Sequence, residues 1–144
     1  VSESLVALGA QILFHKVAIR PAKPLLFAVH GNTLVFGLPG NPVSAAVAFD
    51  LFVRPALRVA WGLTPPLPEP ETAILTGPVA NKGLRLAFHP AELRLSEGRL
   101  VARPVASKGS HDIVAHAEAN GYLVLQPETA HAAGERVECY PRAG

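Results

Sequence analysis

The chain has 144 residues, 49% of them apolar and 17% charged, which is material for one medium domain or two small ones and excludes general disorder. A net charge of +2 favours anionic ligands only weakly and does not by itself point to nucleic acid. The single cysteine, Cys139, excludes an internal disulfide and suits a reducing compartment, so a cytoplasmic location is expected.

In chain order, "SESLVALGA" predicts the tail of a helix ending at Gly9, a typical residue just past a helix C-terminus. The first residue is not methionine and the helical pattern is already running, which predicts a piece of a longer protein. "QILFHKVAI" (11–19) is rich in β formers and reads as one strand. "LLFAVHGNTLVFGL" (25–38) reads as two strands joined by a Gly31-Asn32 turn. From Pro42 to Trp61 a nearly all-apolar helix follows, with Pro55 kinking it and Gly62 past its end. Asp50, Arg54, Pro55 and Arg58 interrupt that run, so no membrane span is expected. Its apolarity on nearly every side predicts burial between layers or in a subunit interface, and hence a homodimer.

"LTPPLPEPET" (63–72) carries four prolines in the six residues from Pro65. Such a run disfavours helix and predicts a stiff connector. The expected organisation is therefore a first unit over 1–64, a Pro-rich linker over 65–71 and a second unit over 72–144. The second unit changes rhythm: "TAILTGPVA", "LRLAFHPAELRL", "RLVARPVA", "GYLVLQP" and "ERVECYP" are short strand-like runs punctuated by Gly and Pro. That spacing predicts a small β-barrel or sandwich, with a helical turn at "DIVAHAEA" (112–119).

Two stretches carry candidate chemistry. In "GLPGNP" an apolar strand runs into glycines and then a helix start, with Asn41 as N-cap and Pro42 at the first helical position. Gly37 and Gly40 permit close backbone approach, and N–H groups near Gly40, Val43 and Ser44 suit a phosphate or another oxyanion. It is neither a P-loop nor a dinucleotide fingerprint, because no Lys follows the glycines and the G-x-G-x-x-G spacing is absent. A tight strand–helix turn explains the same residues without a ligand. In "HKVAIRPAKP" strand alternation would place Lys16, Ala18 and Arg20 on one face, and Lys23 follows closely enough to fold back toward Arg20. The three cations either converge on a polyanion or form an ordinary solvated face. The six histidines show no zinc-type spacing with Cys139 and suit surface or capping positions; the carboxylates form no convincing metal or acid–base pair. No catalytic residue and no metal ligand is assigned.

"FHKVAIRPAKPLLFA" and "LVFGLPGNPVSAAVAFDLFVRPAL" resemble the C-terminal half of molybdopterin molybdenumtransferases, the MoeA and gephyrin E-domain family, and "KGSHDI" and "ANGYLVL" extend the resemblance into the second unit. The resemblance implies an α/β fold, a partial three-layer molybdopterin-binding unit followed by a small β-barrel-like C-terminal domain. It implies a transferase of molybdenum cofactor biosynthesis that inserts molybdate into adenylylated molybdopterin and releases AMP with help from Mg²⁺, whose ligands are expected outside this chain. It also implies a dimer with sites built from two chains. Lys16, Arg20 and Lys23 would grip phosphate or molybdate. Gly37, Gly40, Asn41, Pro42 and Ser44 would shape the loop beside a phosphorylated pterin or nucleotide. Arg85 and Ser110 would line the cleft from the second unit. Neither nucleic acid nor membrane is an expected partner. The alternative is a non-catalytic scaffold of the same fold. Two departures stand out: Ala22 where the resembling sequences have Gly, and Pro90 in "RLAFHP" where they carry Arg.

Overall fold

The computed structural model describes residues 1–65, 69–107 and 112–142. A short helix α1 (Ser2–Ala7) closes with Gly9 at φ +84° and leads into β1 (Gln11–His15). β1 pairs antiparallel with β3 (Leu26–His30), which pairs with β4 (Thr33–Gly37), giving a three-stranded sheet of order β1-β3-β4. The expected Gly31-Asn32 turn is present: His30 faces Thr33 across it, and Gly31 takes φ +57° at the position where a missing Cβ matters.

The single strand expected over 11–19 is two. β1 stops at His15, and Lys16 adopts φ +75°. The Lys16 N–H donates to the Leu25 carbonyl (2.7 Å) and the Val17 N–H to the Lys23 carbonyl (2.9 Å), so the chain folds over itself before a two-residue strand β2 (Ile19–Arg20). Period-two alternation requires an unbroken pleat, and a left-handed residue ends it.

The long apolar helix starts as expected. Asn41 accepts a hydrogen bond from the Ser44 N–H (3.1 Å), and Pro42 opens α2 (Pro42–Ala48). The disturbance expected at Pro55 takes the form of a π-helical turn, Phe49–Val53, followed by α3 (Arg54–Ala60). The Arg54 N–H reaches back to the Phe49 carbonyl, which widens the helix just ahead of a residue that has no N–H to give. The helix is not covered on every side. Val47 and Ala48 are buried, whereas Val59 and Trp61 are 61% and 70% exposed.

After the proline run, of which 66–68 lie outside the described residues, come β5 (Glu71–Leu75), β6 (Val79–Asn81), β7 (Leu86–Ser96), β8 (Arg99–Pro104), α4 (Ile113–Glu118), β9 (Gly121–Leu125), β10 (Thr129–His131) and β11 (Arg136–Pro141). All but β10 fall on the strand-like and helical runs read from sequence; β10 pairs with β6 in a separate two-stranded ribbon. The main sheet has the order β2-β7-β8-β5-β11-β9, and a further pairing of β7 with β9 closes five of these strands into a barrel. The barrel reading is therefore the right one of the two that strand spacing left open.

Closure depends on the length of β7. Its first half pairs with β9 (Ala87 with Leu125 to Ala91 with Gly121) and its second half with β8 (Ala91 with Pro104 to Ser96 with Arg99). Pro90 sits just before the changeover, opposite Tyr122, and its carbonyl accepts from the Val105 N–H (3.0 Å). A proline is tolerated at such a point because little pairing is lost by its missing N–H. Beyond Gly121 the side chain of Asn120 continues the ladder, accepting from the Leu93 N–H (2.6 Å) and donating to the Leu93 carbonyl (2.8 Å). The barrel core is Ala73, Leu75, Leu93, Leu123, Leu125, Val137, Cys139 and their neighbours. Each large aliphatic side chain buried there contributes about 1.5–3 kcal/mol. Burial pushes the Cys139 thiol up to about 11, with Glu71 and Glu138 adding to the shift, so it stays protonated at neutral pH.

A second buried cluster joins the two halves of the sequence. Ala22, Leu25, Val47 and Ala48 pack with Tyr122 of β9, flanked by Phe14, Ile19, Phe52 and Phe88. β2 adds to this junction by pairing in parallel with β7, Ile19 opposite Leu86 and Arg20 opposite Ala87.

Candidate functional site

At this junction lies a cavity of about 570 Å³. The Arg20–Pro24 segment forms one wall, and the Arg20–Pro21 peptide bond is cis. Val43, Ser44 and Val47 of α2 form another, and the second half of the chain supplies residues of β6, β7, α4 and β9. Four of the residues read from sequence meet here: Arg20, Lys23, Ser44 and Arg85. Two of the three cations come from the first half of the chain and one from the second. The Arg85 guanidinium donates to the Ile19 carbonyl (3.0 Å), so it lies beside β2 and its Arg20.

Lys16, Gly37, Gly40, Asn41 and Pro42 do not line this cavity among the described residues. The reason differs in each case. Lys16 is the left-handed residue just past β1 and lies outside β2, the strand that carries Arg20. Gly37 ends β4 opposite Leu26, where an added Cβ would lie 3.1 Å from the Leu26 Cβ. Its bare backbone serves strand packing. An added Cβ on Gly40 would meet nothing within 4 Å. The Asn41 side chain takes the Ser44 N–H, so one of the three backbone positions expected to greet an anion is occupied, and Pro42 opens the helix without an N–H to offer. Ser110 lies outside the described residues.

Ala22 takes φ +79° and is fully enclosed against the α2 side of the junction. This is the conformation that glycine adopts without strain, so the methyl group sits in a backbone shape costing about 1–2 kcal/mol for an L-residue.

The lining also holds two histidines and the rings of Phe88 and Tyr122. His89 Nε2 lies 3.0 Å from the Val105 carbonyl; burial lowers its pKa, the carbonyl opposes that, and the nearby Arg20 charge lowers it further. The surface or capping place expected of the histidines fails for His116, which is buried and stacks 5.9 Å from the Tyr122 ring. Its Nε2 has no hydrogen-bond partner among the described residues. Burial lowers its pKa too, with Arg142 adding to the effect and Asp50 opposing it. Both rings are thus neutral at pH 7, so the positive charge of the lining is that of Arg20, Lys23 and Arg85.

Asp50 of the π-helical turn is the hub of a half-buried polar network that includes Tyr122 of the cavity lining. It accepts hydrogen bonds from the Tyr122 hydroxyl (2.9 Å), Arg142 Nε (3.2 Å) and Arg54 Nη2 (2.8 Å). Burial first, and then the Asp50 carboxylate, raise the Tyr122 pKa, so the hydroxyl remains a donor. Arg142 also donates to the carbonyls of His116 (3.0 Å) and Ala119 (3.2 Å). Sequence reading missed the role of Asp50 because two of its three partners, Tyr122 and Arg142, are 72 and 92 residues away. A carboxylate in a helix that is otherwise apolar was the available signal.

Residues 1–59 match the family model "Probable molybdopterin binding domain" and residues 72–141 match "MoeA C-terminal region (domain IV)". The chain belongs to the MoeA family. It is 36% identical over 119 residues to the molybdopterin molybdenumtransferase of Bacillus subtilis, covering 82% of this chain and 27% of that one. Against the molybdopterin molybdenumtransferase of Haemophilus influenzae it is 35% identical over 134 residues, covering 91% and 33%. Among solved structures, a molybdopterin biosynthesis MoeA protein from Pyrococcus horikoshii superposes with a TM-score of 0.77 at 30% identity, covering 99% of this chain and 35% of that one. The chain spans about a third of the length of these MoeA relatives. The α/β class with a small β-barrel expected from the resemblance is the observed one.

Proposed function

We propose that this chain forms the substrate-holding part of a molybdopterin molybdenumtransferase, with the junction cavity taking the phosphate end of adenylylated molybdopterin or of AMP. The support is that Arg20 and Lys23 from one matched segment and Arg85 from the other face a single cavity. Arginine offers a planar pair of donors that suits phosphate oxygens, and Lys23 adds a point charge. Ser44 adds a hydroxyl from the buried side of α2. The neutral His89 and His116 and the rings of Phe88 and Tyr122 suit the flat, less charged part of such a ligand. Molybdate is the other substrate of the proposed reaction.

Mg²⁺ does not fit the residues of this cavity. No group of three or more His, Cys, Asp or Glu side chains is placed to hold a metal among the described residues. Asp112, the carboxylate at the cavity wall, accepts from the Ala115 N–H (3.1 Å) as the cap of α4. The proposal therefore routes no step through Mg²⁺, and what these residues do is bind and orient. The further proposals are a homodimer, supported by the exposed Val59 and Trp61 at the end of α3, and a cytoplasmic location, supported by the single reduced cysteine. No helix among the described residues is long and apolar enough to cross a membrane.

The test is calorimetric titration of the protein and of its Arg20→Ala variant with AMP at two ionic strengths. The variant is expected to bind more weakly by about 1.5–3 kcal/mol, the worth of hydrogen bonds to a charged group. The difference should shrink at high salt, because screening weakens an exposed cation. Equal affinities would remove the anion-binding reading.

A further inference from the structure

Three positive side chains do not converge unaided, because like charges repel and each is better solvated apart. Something must hold Arg20 and Arg85 together, and the structure offers one buried polar side chain in the right place. Asn81, the last residue of β6, is 3% exposed. Its Nδ2 donates to the carbonyls of Arg85 (2.8 Å), Gln126 (3.0 Å) and Leu125 (3.2 Å), and its Oδ1 accepts from the Gly83 N–H (3.1 Å). An amide has two donor hydrogens, so these three acceptors share them and no donor is left for an anionic ligand.

The bonds enclose the short loop between β6 and β7. One end of that loop carries Arg85, whose guanidinium reaches the Ile19 carbonyl (3.0 Å). Its middle lies beneath Arg20. A Cβ placed on Gly83 would sit 3.3 Å from Asn81 Oδ1 and 3.9 Å from Arg20 Nη1. The loop is pinned a third time where the Glu128 N–H donates to the Gly83 carbonyl (3.1 Å).

We infer that Asn81 is a positioning residue: through the 82–85 loop it holds Arg85 beside Arg20, making the two guanidinium groups one phosphate clamp. This rests on the reading of the cavity as an anion site. Asn81 touches no ligand in this role; it acts through Arg85.

The test is a double-mutant cycle read by AMP titration on the intact chain, with thermal melts confirming that each variant is folded. Asn81→Ala is expected to weaken AMP binding about tenfold when Arg85 is present and less than about threefold in the Arg85→Ala background, because residues acting through one another are not additive. A general loosening of the barrel would cost the same factor in both backgrounds, and that result overturns the inference. Should Asn81→Ala fail to fold, Gly83→Ala keeps the Asn81 amide and presses on the same loop. It is expected to bind AMP about threefold more weakly or worse, since a tight contact forces its neighbours to shift. Unchanged affinity there overturns the inference. Binding that depends on Arg20 but not on Asn81 removes the positioning role alone. Binding that is indifferent to Arg20 removes the anion site and the positioning role together.

Discussion

Asp50→Ala should destabilise the fold measurably. The carboxylate side chain is only 10% exposed and joins Arg54 at 2.8 Å and Arg142 at 3.2 Å, with side-chain exposures of 33% and 28% for the two arginines. Removing one partner of a fully buried ion pair costs about 3–5 kcal/mol. Here both arginines keep partial access to water, and Arg142 retains the carbonyls of His116 and Ala119, so the loss on that side is smaller. The Tyr122 hydroxyl has no such retreat, and a lost bond to a charged group is worth about 1.5–3 kcal/mol. The expected total is about 2–3 kcal/mol, or roughly 5–10 °C in Tm for a chain of this size. For comparison, the exposed pair Arg103–Glu92, at 54% and 42%, should be worth no more than about 1 kcal/mol. Asp50→Asn should recover about half of the loss, because an amide oxygen still accepts from Tyr122 while the charge is gone. Urea unfolding of wild type, Asp50→Ala, Asp50→Asn and Tyr122→Phe measures this directly. If Asp50→Ala unfolds within 0.5 kcal/mol of wild type, about the effect of an ordinary surface substitution, the reasoning is wrong and the network is incidental.

Two further perturbations follow from named contacts. His116 and His89 have folded-state pKa values below the ordinary value of 6.5. The unfolded chain therefore binds protons that the folded one does not, and stability present above pH 6.5 is lost as pH falls through that value toward the folded pKa values. Urea midpoints should fall between pH 7.5 and pH 5.5, roughly one unit to either side of the histidine range, and less steeply in His116→Gln; an unchanged slope in that variant contradicts the assignment. Gly121→Ala should destabilise by about 1–3 kcal/mol, since a Cβ there would overlap the Leu93 side chain and press on the Tyr140 carbonyl at 3.0 Å. A melting temperature equal to wild type would mean that the barrel closes with more room than described.

Much of the local structure was legible in the sequence because its causes are local. Asn41-Pro42 starts a helix by satisfying or omitting N–H groups within one turn, Gly31-Asn32 reverses a hairpin, and alternating apolar residues mark the barrel strands. The family, too, was legible, since motifs in both halves of the chain carry it. Lys16 and Arg20 do not lie in one strand as alternation assumed, because Lys16 breaks the pleat with a left-handed backbone held by bonds to the Leu25–Lys23 return. Gly37 looked like space for a ligand and is space for Leu26, because periodicity cannot say which neighbour a bare backbone admits. Closure of the barrel through β7, the meeting of Arg20 with Arg85, and the polar hubs at Asp50 and Asn81 were decided only by tertiary structure. Each joins residues dozens of positions apart, and sequence spacing carries no distance at that range. Burial then turns those meetings into chemistry: it makes His116 neutral, keeps Tyr122 a donor, and leaves Arg20, Lys23 and Arg85 as the cations of the cavity lining.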